Sequence, residues 1–228
     1  MKTVSVVFLA SAMLASLTAS AAIVFNDQFN TAGDLSKWTV IEGTPIVEDG
    51  VLKMNPPASG NYATTISTTA TWTTAGTYEL DFTGFPNITS DGSRLMSQIT
   101  MPGGLTLAWW DYNNGLEVWY NGTNISGLIG GGAYSYNSMT PYKVVQNGRS
   151  VQVYMGAVSI ATATPTFSTT VASDPNFITN GGIAIFDKYM GTYAEYDSIS
   201  LSYSVPEPAM IGLLGAGLLG YIGRRKRA

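Results

Sequence analysis

The chain has 228 residues, carries 11 basic against 15 acidic side chains for a formal net charge of −4, and contains neither cysteine nor histidine. These absences exclude disulfide staples, Ser-His-Asp and Cys-His nucleophile systems, and zinc sites built on imidazole or thiolate. Burial of apolar surface must hold the fold together, and 45% hydrophobic residues supply it.

Met1 and Lys2 give a short positive start, Val4 to Leu17 is an almost unbroken apolar and small-residue run, and Ala19-Ser20-Ala21 offers the small side chains that signal peptidase accepts. Residues 1–21 therefore read as an export signal peptide, cleaved before Ala22. The run is shorter than the roughly 20 apolar residues that span a bilayer, which argues against a retained anchor. Residues 22–204 are then the working domain and 205–228 a separate tail. The domain's cations are Lys37, Lys53, Arg94, Lys143, Arg149 and Lys188; against fourteen acids they leave a net charge of about −8. They are scattered. Nucleic acid and anionic lipid are poor partners for such a surface, because phosphate binding needs clustered cations. The length suits one domain with its own core.

Within 22–204 the pattern is all-β. Thr77–Phe82, Gly104–Trp109, Val151–Tyr154 and Ser198–Tyr203 alternate apolar and polar residues with period two, and no helical period competes. Short strands without crossover helices predict an antiparallel β-sandwich or jelly roll. Asn114-Gly115 is a favoured type I′ turn, which would set Trp109 opposite Tyr120 and Trp110 opposite Trp119. One face then carries Leu105, Leu107, Trp109, Leu116, Val118 and Tyr120 and should be core. The other carries Ala108, Trp110, Tyr112, Glu117 and Trp119, an aromatic group with one carboxylate. A second turn at Asn147-Gly148 would pair Val144 with Val151 and turn Tyr142, Val144, Val151, Val153 and Met155 inward, with Lys143, Gln152 and Tyr154 outward. The glycine-rich loop from Gly127 to Met139, with Tyr134 and Tyr136, reads as a rim segment near the aromatic face.

The chain closes with Val205, Pro206-Glu207-Pro208, an apolar run from Ala209 to Gly223, and Arg224, Arg225, Lys226 and Arg227. As a helix the run reaches only about 22 Å, a marginal span for a roughly 30 Å hydrocarbon core. The basic cluster would hold its end in the cytoplasm, with everything before Val205 outside, so the membrane is met only through this transmembrane tail. The prolines stop the helix from extending backwards and leave an extended tripeptide. This order of elements resembles the PEP-CTERM sorting signal of exported proteins in Gram-negative, exopolysaccharide-making bacteria. The resemblance implies that an exosortase, an integral-membrane cysteine protease, recognises Val205, Pro206, Glu207 and Pro208. The protein would be tethered at the inner membrane during processing, and then delivered to the cell surface or extracellular matrix.

The wider order of features resembles the concanavalin A-like jelly-roll domains of lectins, glucanases and laminin-G modules. Its carriers are "VFNDQFN" followed by Trp38, "GVLKM" at Gly50, "YKVVQNGRSVQVYMGAVSI" at Tyr142, "GGIAIF" at Gly181 and "EYDSISLSY" at Glu195. The resemblance implies adjacent first and last strands, and hence Asp27 near Asp197, with Asn26, as candidate calcium ligands. No other cofactor is implied. Glucanases of this fold carry Glu-x-Asp-x-x-Glu on one strand. Glu79 and Asp81 match, but Gly84 stands where the second glutamate belongs, so no catalytic residue is assigned. Trp110, Tyr112 and Trp119 beside Glu117 and Asn121 have the chemistry to stack on and hydrogen-bond a polysaccharide; the alternative is that these rings only pack and stabilise the sheet. The alternatives are a structural matrix protein with protein partners only, and a weak glycoside hydrolase.

Overall fold

The computed structural model describes residues 21–54, 63–72, 77–85, 95–110, 115–129, 139–156, 164–171, 181–188 and 194–204. The expected signal peptide and the sorting tail, including Val205 to Pro208 and Arg224 to Arg227, lie outside these residues, as do Tyr112, Tyr134 and Tyr136. Among the described residues there is no helix, and therefore none long and apolar enough to cross a membrane.

Two antiparallel sheets face each other. The larger runs in the order β13 (Phe167–Thr170), β12 (Ser150–Met155), β11 (Thr140–Asn147), β6 (Thr77–Phe85), β15 (Glu195–Ser204), β4 (Val51–Lys53) and β3 (Ile46–Glu48), with β1 (Ala22–Asp27) also paired to β15. The smaller runs β10 (Thr123–Ile129), β9 (Gly115–Tyr120), β8 (Leu105–Trp110), β7 (Leu95–Met101), β14 (Ala184–Lys188), β5 (Ala63–Thr68) and β2 (Trp38–Glu42). The first and last strands are adjacent, as expected, and the architecture is a jelly-roll sandwich.

Alternation along each strand builds the core. Leu80, Phe82, Val144, Val153, Ile199 and Leu201 face inward from the larger sheet, and Ile66, Ile99, Leu105, Leu107, Trp109 and Val118 from the smaller; all are buried. Phe82 and Tyr142 stack with ring centroids 4.7 Å apart, and Trp109 meets Tyr142 edge-on at 5.6 Å. Such ring pairs contribute about 0.5–1.5 kcal/mol each beyond the area they bury.

Both expected hairpins form, each in a different register. Trp109 faces Leu116 rather than Tyr120, and Thr106 rather than Trp110 faces Trp119. The type I′ turn lies one hairpin later. Asn121 (φ 47°) and Gly122 (φ 76°) both take the left-handed conformation that this turn requires and join Tyr120 to Thr123 between β9 and β10. In the other hairpin Val144 pairs with Val153 rather than Val151, and Gly148 (φ 54°) with Arg149 forms the turn. Both slips are by an even number of residues, so every side chain keeps its expected face. Met155 is half-buried against the core.

Candidate functional site

The outer face of the smaller sheet carries a pit. Its floor is Ala108 on β8, whose cross-strand neighbours on one rung are Gln98 of β7 and Glu117 of β9. A methyl side chain in the middle of a rung leaves space above it. Trp110 and Trp119 lean in from the two flanking rungs, their ring centroids 6.1 Å apart and their planes at 32°. Trp110 pairs with Gly115, which has no side chain to fill that flank, and Trp119 pairs with Thr106. Gln98, Thr106, Ala108, Trp110, Trp119 and Gly122 line a hollow of about 360 Å³.

The indole of Trp119 is fixed from below. Its Nε1 donates to Glu117 Oε2 at 2.8 Å, and Glu117 is 6% exposed. The carboxylate is thus a support for the ring rather than a group presented to solvent. Trp110 and Trp119 are half-buried and stand outside the core cluster. The sequence placed these three residues on one face; it missed Gln98, Thr106 and Gly122, whose roles depend on β7 lying beside β8 and on the true turn.

Asp27 and the Asn26 carbonyl, among the expected calcium ligands, are engaged by protein groups. Asp27 Oδ2 accepts the Trp38 Nε1 hydrogen at 2.7 Å, while the Lys37 ammonium donates to Asp27 Oδ1 at 3.2 Å and to the Asn26 carbonyl at 2.8 Å. The polar hollow there, about 200 Å³, is lined by Asn26, Asp27, Gln28, Phe29, Asn30, Thr31, Asp34 and Lys37, and not by Asp197, which is exposed on β15. Lysine supplies the positive charge that a metal ion would bring. Among the described residues no group of three or more acidic side chains could hold a metal.

The partial glucanase motif is also committed elsewhere. Glu79 and Asp81 share the outer face of β6, and Lys143 of β11 bridges them, bonded to Glu79 and at 3.1 Å from Asp81 Oδ1. Burial works against the Lys143 charge, yet the two carboxylates outweigh it and hold its pKa above the usual lysine value. Burial likewise pushes the Asp81 carboxyl up, against the lowering pull of Lys143. Gly84 faces inward instead. A Cβ there would stand 2.8 Å from Tyr196 Cδ1 and 3.0 Å from the Glu195 carbonyl oxygen, so no side chain fits.

One buried acid was not singled out in the sequence. Asp187 points into the core from β14 and is fully buried; Ser97 Oγ donates to it at 2.7 Å and the Ala194 N–H at 3.3 Å. Burial pushes its pKa up to about 7, against the lowering effect of these hydrogen bonds. The acid is enclosed between the sheets and belongs to the frame of the fold rather than to the pit.

Residues 204–227 match the model of the PEP-CTERM protein-sorting motif. The tail is a PEP-CTERM sorting motif. No curated protein sequence matches the chain. Solved structures match the domain ahead of the motif. The exoplasmic/lumenal domain of VIP36, in its Ca2+/Man3GlcNAc-bound form, superposes with a TM-score of 0.56 at 11% identity, over 79% of this chain and 88% of that one. A lectin from Bauhinia forficata in complex with GalNAc gives 0.55 at 12%, over 81% and 98%. Peanut lectin with a nonapeptide gives 0.60 at 10%, over 82% and 98%. At these identities the likeness shows the fold: the PEP-CTERM motif follows a concanavalin A-like jelly roll of the legume-lectin type.

Proposed function

We propose that this is an exported, non-catalytic glycan-binding protein that an exosortase processes at its PEP-CTERM tail and delivers to the cell surface or matrix of a Gram-negative bacterium. There it adheres to, or organises, exopolysaccharide. The observation that carries the reading is the pit between Trp110 and Trp119, with the second indole anchored by a buried carboxylate. Sugars present apolar C–H faces to such rings, and a rigid ring loses little freedom on contact. Gln98 and Thr106 stand beside them as hydrogen-bonding groups for hydroxyls. Sugar-bound structures with the same fold lend further support. The committed state of Glu79 and Asp81 speaks against hydrolysis.

A glycan array probed with the full-length protein tests the reading. Trp110→Ala and Trp119→Ala should each weaken binding about tenfold or more, equivalent to about 1.4 kcal/mol; undiminished binding by both folded variants would sink it. A second reading, a matrix protein with protein partners only, is favoured by apolar side chains on edge strands: Ile41 on β2 is 64% exposed and Ile46 on β3 is 38% exposed. Absence of any glycan binding, with self-association lost on Ile41→Lys, would favour that reading instead.

A further inference from the structure

The rung that floors the pit continues across the sheet. Beyond Gln98 its next member is Phe186 of β14, followed by Thr65 of β5. Cross-strand partners share a face, so Phe186 lies on the same outer surface as Ala108. With adjacent strands about 4.8 Å apart, it stands about 10 Å from Ala108 along the rung. Like the two tryptophans it is half-buried and outside both the core cluster and the side chains packed against it.

The ground between the rings is low and uncharged. On the parallel rung Ala184, Thr100, Thr106 and Trp119 follow one another, with Thr100 Oγ1 and Thr106 Oγ1 2.8 Å apart. Among the described residues no cation lines the pit. Glu117 is engaged by the Trp119 indole, and Lys188, on the same face of β14, already has a partner. An anionic ligand would meet an acidic domain with no basic group among the described residues of the pit to receive it.

We propose that Phe186 is a second platform of one extended site, which takes a neutral oligosaccharide of several units laid across the strands rather than a single terminal sugar. The proposal rests on Trp110 and Trp119 being a glycan platform. Its chemistry is that of two separated ring contacts on one ligand: once the first is made, the second forms at high effective concentration, so affinity grows with chain length.

The test is calorimetric titration of the full-length protein with gluco-, manno- and galacto-oligosaccharides of one to six units and with oligogalacturonates of the same lengths. At least one neutral series should gain tenfold or more in affinity between one and four units. Phe186→Ala should abolish that gain and leave the single-unit affinity unchanged; Phe186→Thr, which keeps a good strand former at an outward position, should do the same. Length-independent binding that still disappears with Trp110→Ala overturns the extended site and leaves the platform standing. An undiminished length gain in both Phe186 variants, or a preference for oligogalacturonates, also overturns it. No binding in any series overturns the platform reading and this proposal together.

Discussion

Asp187 shows how much one side chain can govern. It sits on an inward rung of Thr64, Asp187, Ser97 and Trp109, with the Tyr196 ring from the other sheet near enough for their charges to interact. Its pKa of about 7 lies above the ordinary aspartate value of 3.8, so the folded chain holds this proton more tightly than the unfolded chain. Its contribution to stability is therefore fullest below about pH 4, is lost as pH rises towards 7, and stays lost above; the span is on the order of 4 kcal/mol. Urea unfolding at pH 5 and pH 8 checks this. The natural protein should be less stable at pH 8, and Asp187→Asn should remove most of that difference, with its amide donating to Ser97 Oγ and its oxygen accepting from Ala194. Nothing in the sequence marked Asp187 as special, because its enclosure depends on Ser97 lying 90 positions earlier in the chain. The missing glutamate at Gly84 was legible, whereas the reason, a tyrosine ring pressed against the backbone, was not.

At the scale of elements, faces were easier to read than partners. The alternation of Leu105, Leu107 and Trp109 with Thr106, Ala108 and Trp110 fixes which side chains meet the core, whatever the register. Register is a different matter. Asn-Gly occurs at 114–115, 121–122, 147–148 and 180–181, and the dipeptide alone gives the same local signal at each. Tertiary pairing chooses among them: β8 pairs with β7 from Leu95 to Met101 on one side and with β9 on the other, and β9 turns after Tyr120. The pit inherits this split. Trp110, Glu117 and Trp119 share one hairpin and were visible together, while Gln98 reaches the site across a strand boundary that no local pattern announces. Gly122 gives an element-level test. A Cβ built there meets nothing within 4 Å, so Gly122→Ala carries only the backbone cost of a left-handed alanine, about 1 kcal/mol. The melting temperature should fall by about 2–4 °C. No change would show that the turn relaxes to another type.

For the whole molecule, the chain comprises a compact body, Ile23–Tyr203, and the sorting motif at 204–227; the proposed function gives binding to the first and delivery to the second. The body uses its last residues fully: Leu201 is completely buried, and β15 ends at Ser204. Deleting Pro206 to Ala228 should therefore leave the melting temperature unchanged while altering where the protein accumulates, as read by fractionation of native cells and mass spectrometry of its C-terminus. An unchanged destination would separate the motif from delivery. The fold class was legible throughout the domain from period-two patterning, and the tail from three elements in order. The strand order was not legible, since it joins segments far apart in the chain. That order has a temporal meaning. β15 lies in the interior of the larger sheet, between β6 and β4, although it is the last strand to be synthesised. A chain exported amino end first, as the proposed function requires, would have an open slot in that sheet until this strand emerged, and the sandwich could close only once passage was nearly complete.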